Sequence, residues 1–361
     1  MSKSISSVGP AAVRPAVLVT GSSGLIGSRL VGALSTRYDV IGLDVKPPRE
    51  TNDQAAWIET DMTDNAGVRA ALDQVRRRRG SQLASVVHLA AYYDFKGEPS
   101  PLYEELTVEG TRRLLEGLQQ FEVEQFIFSS TLLVMEPAEE GEVLTEESPV
   151  APEWDYPQSK IRAEAVIQQH RGSIPALILR MAGVYDEDCH SVPIAQQIAR
   201  IHQKQLESYF FPGDTDHGQA FVHLDDLIDC VALAIERRYQ LPDYETLLIA
   251  EPDVMSYEEL QDAIGELLHG QEWTTIRIPK ALAKAGAWVK GQFGEEMFIK
   301  PWMIDLADQH YPVEIERARK LLGWEPRHRL RTTIPEMIER LKADPAGWYE
   351  RNGLKQPEYA S

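Results

Sequence analysis

Tyr156 and Lys160, in the run Trp154-Asp155-Tyr156-Pro157-Gln158-Ser159-Lys160, have the types and spacing of an acid–base pair. Proline suits a first helical turn, so a helix is expected to begin near Tyr156, and a four-residue step sets both side chains on one face. Tyrosine and lysine both titrate near pH 10, so a tyrosine base at neutral pH must be lowered by roughly three units, about 4 kcal/mol of preference for the phenolate. A neighbouring ammonium and a helix N-terminus both act in that direction. Upstream, Gln125-Phe-Ile-Phe-Ser129-Ser130-Thr131 reads as a strand with a hydroxyl-rich end. Side chains alternate along a strand, so Ser130 and Thr131 cannot both face one site.

Tyr-x-x-x-Lys pairs are common by chance in helices, and this one gains weight from what precedes it. Val17-Leu-Val-Thr20-Gly21-Ser22-Ser23-Gly24-Leu25-Ile26-Gly27 reads as a buried strand, a tight glycine turn and the start of a helix from Leu25 to Leu34. Such a helix aims unpaired N–H groups and the positive end of its dipole at one point, which suits a pyrophosphate. The spacing is G-x-x-G-x-x-G, and 23 residues after Gly21 the run Val40-Ile-Gly-Leu-Asp44 ends in an acid placed to accept from adenosine ribose hydroxyls. Strand and helix patterns alternate onward through Trp57–Glu59, Asn65–Arg79 and Ser85–Leu89, the signature of a parallel sheet covered on both faces.

With Thr20-Gly21-x-x-Gly24-x-x-Gly27, Asp44, the Asp61-Met62 pair, His88-Leu-Ala-Ala91 and Tyr156-Pro-Gln-Ser-Lys160, the stretch from about Ala16 to Leu330 resembles the extended short-chain dehydrogenase/reductases. These include NAD-dependent nucleotide-sugar epimerases and dehydratases and are similar to hydroxysteroid dehydrogenases. The resemblance implies a Rossmann-type α/β fold, a doubly wound parallel sheet with a smaller, mainly helical C-terminal substrate domain. It implies NAD as cofactor, held by Gly21, Ser23, Gly24, Leu25, Ile26, Gly27, Asp44, Asp61, Met62, Leu89, Ala90, Ala91, Ser129, Tyr156 and Lys160. Thr131, 25 residues before Tyr156, takes the family's catalytic Ser/Thr position. Tyr156 is then expected to take an alcohol proton while hydride leaves to NAD, with Thr131 orienting the same oxygen and Lys160 holding the phenolate and the nicotinamide ribose. Thr107 stands where the family has a cofactor-touching asparagine.

The expected substrate is a secondary alcohol, sugar-like or otherwise small, with a hydroxysteroid-dehydrogenase-like net oxidation or reduction as the alternative. A non-catalytic dinucleotide-binding regulator is the alternative from another class, and the intact Tyr156, Lys160 and Thr131 argue against it. Leu132 and Leu133 follow Thr131 where a dehydratase carries an Asp-Glu pair. Gly183 and Gln219 replace the asparagine and arginine with which an epimerase grips a diphosphate, leaving Arg200, Arg317 or Arg319 as substitutes. Aromatic and histidine side chains, Tyr185, His190, Phe298, Trp302, His310 and Tyr311, offer stacking and neutral hydrogen bonding instead.

Length and composition set the remaining bounds. The 361 residues suggest about two domains: a tail at 1–14 expected to be disordered, an NAD-binding domain from 15–182 with 221–250, and a substrate domain from 183–220 with 251–361. With 37 basic against 56 acidic residues and a formal charge of −19, nucleic acid and anionic membranes are not expected partners. Cys189 and Cys230 lack metal-type spacing, and His223 beside Asp225 and Asp226 reads as a helix cap, so no metal is expected. A cytoplasmic protein fits, with no signal peptide or membrane span. The family commonly forms homodimers, here through Pro101–Gln120 and Tyr156–His170. Ile278–Lys290 reads as a surface helix, or alternatively as an amphipathic lid.

Overall fold

β1 (Ala16–Thr20) is buried along its whole length, as its unbroken apolar run requires of a strand with neighbours on both edges. The computed structural model describes residues 14–48, 55–94, 97–283, 304, 307 and 309–356; the N-terminal tail to residue 13, Phe298, Trp302 and the expected helix beyond residue 283 lie outside them. Around β1 are β2 (Asp39–Asp44), β3 (Ala55–Glu59), β4 (Ser85–His88), β5 (Phe126–Thr131), β6 (Ala176–Met181) and β7 (Tyr244–Ile249). They form one seven-stranded sheet in the order β7-β6-β5-β4-β1-β2-β3, and every pairing is parallel. The order reverses between β1 and β4, and crevices of this kind, at the carboxyl ends of the strands, are where such sheets bind ligands.

Helices cover both faces. α1 (Leu25–Leu34) and α6 (Leu224–Glu236) pack together over one face, where Leu30, Leu34, Leu227 and Val231 join Val17, Val19 and Val87 in a single core. α2 (Asn65–Arg79), α3 (Glu109–Leu118) and α4 (Asp155–His170) cover the other, burying Leu72, Leu114, Ala163 and Ile167 against Leu18, Val86 and Phe128. The helix expected over Pro101–Gln120 is in two registers: Tyr103–Val108 is π-helical and α3 follows it. A π turn shifts the faces of what precedes it, which apolar periodicity does not reveal.

The smaller core lies beyond the sheet. α5 (Val192–His202), α7 (Tyr257–His269), α9 (Leu330–Ala343) and α10 (Pro345–Arg351) gather Ile198, Ile264, Ile334, Trp348 and Tyr349. Ser256 opens α7 with a reciprocal capping box to Glu259. Between these elements, α8 (Glu316–Leu322) ends on left-handed Gly323, as Gly-Trp-Glu-Pro after an apolar turn predicts. The stretch Tyr311–Trp324, grouped by sequence with the substrate domain, packs with the sheet-side core. Trp324 Nε1 donates to the Asp226 carbonyl at 2.9 Å, and the buried Asp226 carboxylate accepts the amides of Arg327 and His328 at 3.0 and 2.8 Å. Glu251, just past β7, accepts the Leu330 amide at 2.9 Å.

Candidate active site

The glycine turn is held by its own backbone and by β4. Gly21 has φ +67°, and a Cβ there would meet the Ala90 amide nitrogen at 2.9 Å. At Gly27 a Cβ would lie 2.1 Å from the Gly21 carbonyl oxygen, so helix α1 approaches the turn only without a side chain. Gly24 caps α1 with no side-chain bond, and no acid occupies the first turn. The N–H groups of that turn are therefore left for an anion, which fits a dinucleotide pyrophosphate. Asp44 lies across the turn: its carboxylate accepts the Ser23 and Lys46 amides, each at 3.0 Å, and Ser23 Oγ donates to the Lys46 carbonyl at 2.7 Å.

The other expected cofactor contacts divide. Leu89, Ala90 and Ala91 line the crevice half-exposed, with the Ala90 amide donating to Thr20 Oγ1 at 3.2 Å. Asp61 is exposed and closes a turn by accepting the Thr63 amide at 2.8 Å. The Met62 side chain is buried in the core beneath α2 and α3. Thr107, in the asparagine's place, is fully buried and accepts the Tyr92 amide at 3.0 Å, so its hydroxyl is occupied in fixing the loop after β4.

Beneath that loop runs a hydrogen-bonded chain through His88. Thr20 Oγ1 is 2.6 Å from His88 Nδ1, His88 Nε2 is 2.9 Å from Thr111 Oγ1, and Thr111 donates to the Thr107 carbonyl at 2.6 Å. Thr111 has spent its proton on that carbonyl, so it accepts from His88 Nε2–H, and Nδ1 accepts from Thr20. Burial, with the Lys160 charge adding to it, pushes His88 down to about 3, so this brace is neutral at every working pH. It ties the glycine turn to the helix beside the catalytic pair.

α4 begins at Asp155 and carries Tyr156 and Lys160 on one face, as the four-residue spacing requires. Lys160 is buried and donates to the Ser129 carbonyl at 2.6 Å, with Nζ 4.9 Å from the Phe128 ring centroid and 5.9 Å from that of Tyr156. Burial pushes Lys160 down to about 7, against the charge of Glu164, which favours the ammonium. The Tyr156 phenol is raised by burial, and its hydrogen-bonding neighbour Thr131 draws it back. Ser129 lies behind, its Oγ donating to the His88 carbonyl at 3.1 Å. Ser130 turns to Glu164 at 2.5 Å, so Ser130 and Thr131 do part company as alternation demands.

Sequence reading passed over Glu164 and Arg180. Arg180 ends the apolar run of β6 and, buried beside Ser130 in register, donates from Nη2 and Nε to the Glu164 carboxylate at 2.8 and 3.2 Å. An arginine closing a buried strand and an acid four residues after Lys160 were the available signals.

Aromatic rings surround the phenol. Tyr93 meets Tyr156 edge to face with centroids 4.8 Å apart, and the Trp154 ring lies tilted with its centroid 5.5 Å from that of Tyr156. A small cleft beside Trp154 is bounded by Leu133, Glu153, Gln309 and Tyr311. Of the residues expected around a substrate, Tyr311 reaches this cleft. Tyr185 does not: it is fully buried in the smaller core, its hydroxyl 3.4 Å from Glu251. His190 is paired with Asp186 at 2.7 Å, and His310 accepts the Gly218 amide at 3.2 Å.

The arginines proposed for a diphosphate are engaged elsewhere. Arg317 pairs with Glu146, Glu147 and Glu245, Arg319 with Glu316 and Glu325, and Arg200 faces the Tyr257 phenol. At Gly183 a Cβ would lie 2.9 Å from the Phe221 ring, so a side chain there would have to displace that ring. Gln219 donates to the Gln309 carbonyl at 2.9 Å.

Among the described residues, Glu187, His223 and His328 come together at metal-like spacing, with ligand atoms within 4.8 Å of one another. His223 Nδ1 accepts the Asp225 amide at 3.2 Å as the cap of α6. That places its proton on Nε2, the atom 3.2 Å from Glu187, and a protonated nitrogen has no lone pair for a cation.

Residues 17–250 match the NAD dependent epimerase/dehydratase family, and the chain belongs to it. It is an NAD-dependent enzyme of the extended short-chain dehydrogenase/reductase type. Its curated relatives include a UDP-glucose 4-epimerase of Vibrio cholerae, 25% identical with 86% of this chain and 90% of that protein covered. They also include human 3 beta-hydroxysteroid dehydrogenase type 7, 27% identical over 86% of this chain and 90% of that one. Among solved structures, UDP-glucose 4-epimerase from Thermotoga maritima shares the fold with a TM-score of 0.68, at 21% identity over 91% of this chain and 99% of that one.

Proposed function

We propose that the chain removes hydride and a proton from an apolar secondary alcohol, or runs the reverse reduction, with Tyr156 as acid–base, Thr131 orienting the reacting oxygen and Lys160 supplying the positive charge. The observation that carries this is the meeting of Thr131 and Lys160 at the Tyr156 phenol, the first as its hydrogen-bonding neighbour and the second 5.9 Å from its ring centroid. The glycine turn and Asp44 would hold NAD, and that cofactor would supply the hydride acceptor. Thr131 and Tyr156 can both hydrogen-bond a substrate hydroxyl, which fixes the alcohol oxygen at the atom that must lose its proton. The Lys160 ammonium, one turn away, stabilises the phenolate and so supports proton removal near neutral pH.

Net oxidation of an apolar alcohol is favoured over a nucleotide-sugar epimerisation because Tyr93 and Trp154 border the Tyr156 ring, with Tyr311 in the cleft beside Trp154, while Arg200, Arg317 and Arg319 have other partners. A diphosphate needs cations, and planar or alicyclic carbon needs rings to lie against. The human relative, a 3 beta-hydroxysteroid dehydrogenase by name, is consistent with this choice. We place the chain in the cytoplasm, where its two buried cysteine thiols remain reduced; no helix among the described residues is long and apolar enough to cross a membrane. We also propose a homodimer through α3 and α4.

The deciding experiment is NAD reduction with a panel of hydroxysteroids and other alicyclic alcohols, against UDP-, GDP- and dTDP-sugars. Turnover of the first group is expected. Stoichiometric binding of a nucleotide sugar, with its 4-epimer as product, would overturn the reading.

A further inference from the structure

Lys160 is a buried cation with an incomplete set of partners. Its ammonium donates to the Ser129 carbonyl at 2.6 Å and approaches Ser129 Oγ at 3.5 Å, and among the described residues no carboxylate lies within ion-pair distance of it. The groups facing it are the Phe128 ring of β5, neutral His88 of β4, and Tyr156 and Glu164 of its own helix. Glu164, one turn beyond, supplies the negative charge that acts on Lys160. That carboxylate is held from the sheet by two donors of Arg180 and the hydroxyl of Ser130.

We propose that Glu164 and Arg180 form a buried dipole that positions and charges the catalytic lysine. Its carboxylate end favours the Lys160 ammonium, and its grip on Ser130 fixes the strand end that presents the Ser129 carbonyl to Lys160 and Thr131 to Tyr156. This rests on the reading of Tyr156 and Lys160 as the acid–base pair. A buried ion pair between well-packed side chains often contributes little net stability. Its placement at the root of the catalytic helix face is better explained by its field. The dipole has a sign: removing the carboxylate leaves a cation near Lys160, and removing the guanidinium leaves an unscreened anion.

The test follows the Lys160 Cε resonance in 13C-lysine-labelled protein through a pH titration, assigned with Lys160→Met, and needs no substrate. Wild type is expected to titrate near neutrality. Glu164→Gln should move the midpoint down, Arg180→Met should move it up, and the double variant Glu164→Gln/Arg180→Met should fall between Glu164→Gln and wild type, about one unit below wild type. Ser130→Ala, which releases the strand end, should shift the midpoint and lower the rate of NAD reduction, and a folded variant unchanged in both would overturn the positioning role of that grip. If either single variant fails to fold, the double variant, which leaves no unpaired charge, decides. Shifts of one sign in both single variants, or an unmoved midpoint in a folded double variant, would overturn the proposal. Activity retained in Tyr156→Phe or Lys160→Met would instead overturn the acid–base reading, whatever the titration shows.

Discussion

Lys160 Nζ donates to the carbonyl oxygen of Ser129 at 2.6 Å while standing 5.9 Å from the ring centroid of Tyr156. The lysine is thereby anchored to the sheet, and its charge reaches the phenol through space. Tyr156→Phe keeps the ring and its edge-to-face contact with Tyr93, so NAD should bind within about threefold of wild type while turnover falls by roughly 10³-fold. Lys160→Met should weaken both. Calorimetry with NAD and initial rates with the best alcohol separate the two effects, and a Phe variant with more than a few per cent activity would point to another base.

Asp44 sets the cofactor preference. Its carboxylate lies against the glycine turn, held by the Ser23 and Lys46 amides, and would meet a 2′-phosphate as a like charge. NAD should bind at least about tenfold more tightly than NADP, and Asp44→Ala should narrow the gap. Equal dissociation constants for the two cofactors in the wild type would contradict this.

Two glycines of one helix should respond oppositely to alanine. A Cβ at Gly27 would lie 2.1 Å from the Gly21 carbonyl, whereas at exposed Gly32 it meets nothing within 4 Å. Gly27→Ala should cost roughly 3 kcal/mol or more and abolish NAD binding. Gly32→Ala should stabilise by about 0.5–1 kcal/mol. Urea unfolding with and without NAD reads both.

Glu251 makes stability depend on pH. Burial raises it to about 8, and its bonds to the Leu330 amide oppose the shift only in part. The folded chain therefore holds a proton that the unfolded chain, with an ordinary carboxyl near 4.3, has released. Stability should be fullest below about pH 4.3, as far as this group is concerned, and decline as pH rises toward 8, by an upper figure of roughly 3 kcal/mol between pH 5 and 8. Glu251→Gln, which keeps an acceptor for Leu330, should flatten that slope in urea melts. A slope unchanged by the substitution would assign it to other groups.

Light scattering at micromolar concentration should give the mass of a dimer. Hydrogen exchange should then show slowed amides along α3 and α4 at high protein concentration, and a monomeric mass would remove the proposed pairing.

The chain's local punctuation explains how much of this was legible beforehand. Helices Leu25–Leu34 and Asn65–Arg79 begin and end where the sequence places them, because Gly24, and Asp64 bonded to the Ala66 and Gly67 amides, mark their starts in residue type alone. Tyr156 and Lys160 share a face because spacing alone sets it. What escaped depended on partners distant in sequence. The π register of Tyr103–Val108 leaves no periodic trace, and Tyr185 looked like a substrate contact because aromatic content does not distinguish a core side chain from a wall. Glu164 became visible only once Ser130 and Arg180 were brought beside it.

The stitching of the C-terminal segment to α6 bears on modularity. The family match stops at Ala250, yet Trp324 and the amides of Arg327 and His328 close over Asp226 inside that stretch. A fragment ending at residue 250 would keep every strand of the sheet and still uncover a buried carboxylate and the apolar side of α6. The folding unit is therefore larger than the matched span: the sheet-side core is closed by a segment some seventy residues beyond its last strand.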